Sequence, residues 1–206
     1  MRKEKLAYVP TSILKHSKAT RLYSDFLNAP EKTREYFGPM FDDEAALRIL
    51  FSQLQERIYP REALASALDE MATDIEAPAI VRTQIDNLRN RDSLVVFAGQ
   101  QPGLFAGPLY SVYKALTVER WATELSDKFS VPVIPCFWLA SDDHDFAEVD
   151  HINLPDNMDI TTVKYTPSPS SGKVPIGRIT LDSTIGSLTK DLMDFFPSSE
   201  FSEDVL

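Results

Sequence analysis

Two short segments of this 206-residue chain have residue types and spacings suited to gripping a small polar molecule. The first is Gly99-Gln100-Gln101-Pro102-Gly103-Leu104-Phe105-Ala106-Gly107, with Pro108 directly after it. Glycines let backbone N–H groups come close to a ligand. Pro108 is expected as the first residue of a helix, because its fixed φ and missing N–H suit that place. A helix start adds unpaired N–H groups and partial positive charge, which favours a phosphate or a carboxylate. The spacing is neither the dinucleotide pattern G-x-G-x-x-G nor the P-loop pattern G-x-x-x-x-G-K-[ST]. A tight strand-to-helix turn without a ligand is the plainer alternative. Gln100 and Gln101 supply amides that can hydrogen-bond a polar substrate. Tyr110, Tyr113 and Lys114 lie in the first two turns of the helix, where Lys114 can reach back toward an anion or simply be solvated.

The second segment is Ser141-Asp142-Asp143-His144-Asp145. Carboxylates crowded around an imidazole need solvent, hydrogen-bonding partners or a cation. Imidazoles generally titrate near neutrality, so His144 suits a general base or a donor. Asp142 or Asp143 would orient it or grip an amine, and Asp145 shares the cluster. Carboxylates suit Mg²⁺, and His144 with His151 suits a transition metal, but no ligand set is complete and no metal site is expected. A solvated acidic turn is the alternative.

The elements that must position these segments can be read from hydrophobic periodicity. Leu94-Val95-Val96-Phe97-Ala98 is a continuous apolar run, as in a parallel-sheet strand covered on both faces. Leu109, Val112, Leu116, Ala122 and Leu125 mark a helix ending near Lys128. Residues 131–139 form a second strand whose prolines make its early part irregular or edge-like. Strand, helix and strand make a βαβ unit, expected to be right-handed. Both polar segments then follow strand carboxyl ends, where α/β sheets bind ligands. Cys136 and Trp138 share one face of the second strand, and core packing is expected for both.

Residues 1–92 read as helical, with patterns over 18–28, 44–59, 61–75 and from Val81 to Leu88, and breaks at Pro60 and Pro78. Residues 149–154, 160–165 and 174–181 read as strands, with a Pro- and Ser-rich loop over 166–172 and a helix over 184–196. A further helix begins near Ser198, so the fold is expected to continue past Leu206. The expected divisions are a helical segment (1–92), a βαβ unit with the site loops (93–146) and a β-rich connector (147–206).

Basic residues number 21 against 31 acidic ones, a net charge of −10. Binding to nucleic-acid phosphates needs a basic surface, so nucleic acid is not an expected partner. No apolar run approaches the roughly 18 residues that span a bilayer. The start lacks the apolar stretch of a secretory signal, and the single cysteine excludes an internal disulfide framework. These features together point to the cytoplasm.

The two segments resemble one family. Residues 96–114 are similar to the G-Q-Q-x-G-L-F-x-G-P-L-Y-x-x-x-K signature of the bacillithiol-synthesis cysteine ligases, the BshC family. Residues 135–149, Pro-Cys-Phe-Trp-Leu-Ala-Ser-Asp-Asp-His-Asp-Phe-Ala-Glu-Val, look like that family's P-V-F-W-x-A-x-E-D-H-D-F-x-E-V block. Asp142 stands where the family often has glutamate, which keeps the carboxylate and shortens its reach. Family members are longer, with the rest of a Rossmann-like core and a coiled coil following.

The resemblance implies a Rossmann-like α/β fold with a parallel sheet, related to nucleotidyltransferases, with N-terminal helices and a β-rich insertion after the second strand. It implies an enzyme that joins cysteine to glucosaminyl-malate through an amide bond, with this portion alone inactive. It leaves the cofactor open: ATP is the economical source of activation, and Mg²⁺ would accompany it. A homodimer would form through the coiled coil. His144, Asp143 and Asp145 are then the catalytic candidates. Gly99, Gln100, Gln101, Gly103, Gly107, Tyr110, Lys114, Asp142 and Trp138 are the substrate- or nucleotide-binding candidates. The alternatives are a nucleotidyltransferase acting on another small molecule, or a non-catalytic ligand-binding domain.

Overall fold

The structure, a computed structural model, describes residues 21–40, 43–156, 159–166, 174–193 and 195–196. The helix expected from residue 18 is therefore described only from Arg21, and the expectations for 167–172 and 198–206 lie outside the described residues. Residue contacts group the chain into Met1–Tyr59 and Pro60–Leu206.

The first unit contains helices α1 (Arg21–Asn28) and α2 (Glu44–Gln55). The Asp43 carboxylate accepts from the Ala46 N–H at 3.0 Å, so a side chain caps the start of α2. This helix stops at Gln55 although the apolar stripe runs on to Ile58, which is fully exposed. Pro60 keeps Tyr59 out of helical geometry and cannot donate to Glu56 O, so the helix cannot run on through Tyr59.

The second unit starts with α3 (Arg61–Asp74) and α4 (Ala79–Arg89). Ala65 and Ala72 lie two helical turns apart and are small enough to admit Ile85 into one buried cluster with Leu68 and Ala77. The Arg61 guanidinium then fixes the entry to the sheet. It donates to Leu88 O at 3.1 Å, to Ser93 Oγ at 2.8 Å and to Ser93 O at 2.8 Å.

The βαβ unit is β1 (Leu94–Gln100), α5 (Leu109–Phe129) and β2 (Val133–Leu139). The strands pair in parallel, from Leu94 opposite Val133 to Gln100 opposite Leu139. Helix α5 packs on both strands, and Val118, Ala122 and Leu125 are buried, as are Leu94 and Val133. Pro108 caps α5 in extended geometry (φ −66°, ψ 146°) instead of being its first helical residue. Its fixed φ suits either place.

Two expectations about this sheet are corrected. Val95 and Phe97 are 44% and 61% exposed, so β1 is not covered on both faces among the described residues. Trp138, 56% exposed, is not packed in a core. It lies beside Phe97 with ring centroids 6.4 Å apart, while Cys136, opposite Phe97 in the register, is half-buried. Apolar composition identifies a strand, but only the packing of α5 decides which face is covered.

Strands β3 (His151–Asp156) and β4 (Asp159–Lys164) form an antiparallel hairpin, and α6 (Thr184–Met193) follows. The strand expected over 174–181 is absent. Ile176–Arg178 is instead one turn of 3-10 helix. Its backbone donors go to a neighbouring loop: Ile176 N–H to Asp143 O and Gly177 N–H to Ser141 O, both at 2.8 Å.

Replacing Arg61 with Met leaves the carbonyls of Leu88 and Ser93 without their charged donor. Stability should fall by about 2 kcal/mol, within the range for charge-assisted hydrogen bonds. The urea midpoint should drop with little change in slope; an unchanged midpoint would contradict this reading of the entry to β1.

Candidate active site

Both polar segments lie at the carboxyl end of the parallel pair, because β1 runs into one and β2 into the other. Their backbones join at once: Ala140 N–H donates to Gln100 O at 3.0 Å, extending the ladder beyond β2. The side chains then join across the gap. Gln101 Nε2 donates to Asp143 Oδ2 at 2.6 Å and to Glu148 Oε2 at 3.1 Å.

Asp143 organises the acidic loop. Its Oδ1 accepts from the backbone N–H groups of His144 at 2.6 Å and Asp145 at 3.0 Å. The Gln101 amide, followed by those two N–H groups, holds the Asp143 carboxyl below the usual aspartate range. Asp143 is thus ionised near neutrality and accepts in at least three directions. Asp142, His144 and Asp145 are exposed, and their side chains have no hydrogen-bond partner among the described residues. They remain available for an incoming molecule.

The neighbouring glutamine faces the other way, because successive residues of a strand alternate in direction. Gln100 Nε2 donates to Tyr110 Oη at 3.0 Å, and Lys114 Nζ donates to Gln100 Oε1 at 2.9 Å and to Gly99 O at 3.4 Å. The ammonium also lies 5.2 Å from the centre of the Tyr110 ring, within cation–π range. Gln100, Tyr110 and Lys114 thus form one cluster against α5, and Gln101, Asp143 and Glu148 form another in the acidic loop. Trp138 joins neither. It backs onto Gly99, where an added Cβ would lie 3.1 Å from Trp138 O.

Between the segments the 99–107 loop makes a strained turn. Phe105, Ala106 and Gly107 all have left-handed φ, at 49°, 70° and 71°, which costs non-glycine residues on the order of 1 kcal/mol each. Gly103 is required by contact: a Cβ there would lie 2.7 Å from Gly107 Cα. Leu104 N–H donates to Val149 O at 2.9 Å, tying the loop to the residues entering β3.

A cavity of about 470 Å³ lies beside this turn, lined by Gly103, Leu104, Ser141, Phe146, Asp150 and Gly177 among others. Asp150, 5% exposed, is a buried carboxylate satisfied by Lys164 Nζ at 3.0 Å and His151 Nδ1 at 2.8 Å. One ring nitrogen of His151 is therefore already engaged by a carboxylate. Burial raises the Cys136 thiol pKa, which disfavours the thiolate. Among the described residues no helix is long and apolar enough to cross a membrane.

Some participants were not among the sequence candidates. Gly177 fits against Ser141 so closely that a Cβ would lie 2.9 Å from Ser141 Cβ. Ile176 and Gly177 hold the acidic loop through main-chain donors, which leave no side-chain signal. Glu148 stands in the quoted motif block, and its carboxylate shares the Gln101 amide.

The family described as "Bacillithiol biosynthesis BshC, N-terminal Rossmann-like domain" matches residues 9–206. A protein of Geobacillus thermodenitrificans with the curated name "Putative cysteine ligase BshC" is 36% identical over 175 residues, covering 83% of this chain and 32% of that protein. Proteins of the same name from Heliobacterium modesticaldum and Salinibacter ruber are 35% and 29% identical, covering 80% and 90% of this chain and 31% and 34% of their own lengths. The chain spans about a third of the length of the curated relatives it matches. Two coupled motif loops on a parallel Rossmann-like pair and a family match over nearly the whole chain lead to one conclusion: this chain belongs to the BshC family, through that family's N-terminal Rossmann-like domain.

Proposed function

We propose that the whole protein is a cysteine ligase of bacillithiol biosynthesis, forming the amide between the cysteine carboxyl and the amine of glucosaminyl-malate. The observation that carries this reading is the Gln101–Asp143 hydrogen bond of 2.6 Å. It joins an anion-attracting glycine loop to an acidic loop, so one small molecule bearing both an anionic group and an amine can span them.

Each half has a role in this reading. Backbone N–H groups of the 99–107 loop and the start of α5 take a phosphate or the malate carboxylate. Gln100, Gln101 and Tyr110 position the substrate, and Lys114 adds positive charge beside Gly99 and Gln100. Asp142 and Asp145 face the amine, and His144 removes its proton as the amine attacks. Asp143 acts by holding His144 and Asp145 in place, since its oxygens are already engaged. Trp138, on the open sheet face, would reach the substrate only at its edge.

Carboxylates do not acylate amines unaided, and ATP would supply the leaving group that makes the cysteine carboxyl reactive, with Mg²⁺ accompanying it. The neutral partners of Lys114 and the glycine-rich approach to α5 are compatible with a phosphate group. In this reading the protein works in the cytoplasm on small metabolites, and homodimerisation would belong to the coiled coil of the longer family members.

Full-length protein supplied with cysteine, glucosaminyl-malate and ATP should yield bacillithiol. His144→Ala should reduce the rate roughly a hundredfold, at the lower end of general-base contributions. A rate within a few-fold of wild type would remove His144 from that role. Substrate binding by the complete wild-type protein without turnover would replace the ligase reading with a ligand-binding one.

The Asp143 carboxyl has a depressed pKa in the folded chain. Its contribution to stability is therefore complete above the unfolded aspartate value of about 3.9 and is lost as pH falls through the lower folded value. Carboxyl-carbon NMR should place the Asp143 midpoint below the ordinary aspartate range, and Gln101→Ala should raise it. A midpoint at or above the ordinary value would contradict the Gln101–Asp143 contact.

A further inference from the structure

We propose that the start of α5, beneath the 103–107 turn, is an oxyanion site whose innermost donor is the Ser111 hydroxyl. The proposal rests on the reading that this loop holds an anion, and it names the residue that grips it and the ligand class: a phosphate or carboxylate group.

Ser111 is 8% exposed, and its Oγ is sealed from solvent with no hydrogen-bond partner among the described residues. Buried hydroxyls are almost always paired, so an unpaired one calls for a physical account. Its backbone N–H donates to Pro108 O, which leaves the hydroxyl as the uncommitted group of this residue. Helical side chains lean toward the helix N-terminus, and the Oγ lies 3.8 Å from where a Cβ on Gly107 would stand. The hydroxyl therefore points under the glycine turn, at the positive end of a 21-residue helix.

Charge at this place agrees. Among the described residues Lys114, one turn further along α5, bonds the neutral oxygens of Gln100 and Gly99. Its positive charge is not cancelled by a carboxylate among the described residues. The acidic side chains Asp143 and Glu148 are turned instead toward Gln101. In the turn that leads to Gly107, Phe105 and Ala106 are two side-chain-bearing residues in left-handed backbone. They are the strained part of the turn, and because the Oγ is sealed from solvent, a ligand reaches it when the turn beside Gly107 rearranges. A bound oxyanion then receives the Ser111 hydroxyl together with the first N–H groups of α5.

The test uses the full-length protein and two probes, inorganic phosphate and L-malate, which separate a nucleotide-type group from the carboxylate of the sugar substrate. Calorimetric titration compares wild type with Ser111→Ala and with Ser111→Cys, which keeps the shape but donates weakly. Wild type should bind at least one probe. Both variants should bind it about tenfold more weakly, the loss of one useful hydrogen bond. Without probe, Ser111→Ala should melt no lower than wild type, because the group it removes is unsatisfied. Equal binding by all three proteins would overturn the role of Ser111 and leave the anion loop standing. Weaker binding by Ser111→Ala together with a lower melting temperature would make the hydroxyl structural and overturn the proposal. Wild type binding neither probe would overturn both the proposal and the anion reading of the loop.

Discussion

One side-chain amide holds the two halves of this site together. Gln101 Nε2 donates to both Asp143 and Glu148, at 2.6 and 3.1 Å. Asp143 in turn gathers the N–H groups of His144 and Asp145 onto its other oxygen. A glutamine can do this because its amide offers two donors without bringing a charge of its own. A lysine at the same place would neutralise the carboxylates that the site needs to present. Loss of this contact would leave the carboxylates of Asp143 and Glu148 without their shared donor and, among the described residues, the acidic loop held by main-chain bonds alone.

The surrounding fold brings that amide to its partners. Parallel pairing, with α5 as the crossover, puts the carboxyl ends of β1 and β2 side by side, so residues far apart in the chain meet at one edge of the sheet. Arg61 fixes the entry to β1, and α5 covers the sheet face opposite the exposed Phe97 and Trp138. The backbone of Ile176 and Gly177 clasps the acidic loop from the other direction. Charge is sorted along the same line. The Lys114 ammonium stands on the α5 side and the carboxylates stand on the other, with the strained 105–107 turn near the start of α5. Such a division suits a substrate that is anionic at one end and carries an amine at the other.

Much of this was legible in the residues themselves. The apolar runs, the existence of the helix over 109–125 and the two motif blocks place both loops at strand ends before any coordinates are considered. The helix face, however, does not follow the expected residues: Leu109, Val112 and Leu116 are exposed, and Ser111 and Val118 are buried with Ala122 and Leu125. Other features depend on tertiary packing that no local pattern reports. Alternation shows that Gln100 and Gln101 point apart, but not that Tyr110 and Lys114 claim the first and Asp143 the second. The apolar spacing over 174–181 suggests a strand, yet its donors find Asp143 O and Ser141 O before any ladder partner. Trp138 looks like a core residue by type, and its exposure follows from which face α5 occupies. Ser111 gives no signal at all in sequence, since what distinguishes it is the lack of a partner.

The central claim is that the glycine loop and the acidic loop act as one site because Gln101 and Asp143 are bonded. A double-mutant cycle in kcat/KM, with Gln101→Ala, Asp143→Ala and the double variant of the full-length protein, measures that coupling directly. The account predicts that the double variant is little worse than the poorer single variant, a coupling of about 1 kcal/mol or more. Losses that add to within about 0.5 kcal/mol would show that the two residues act independently, and would contradict it.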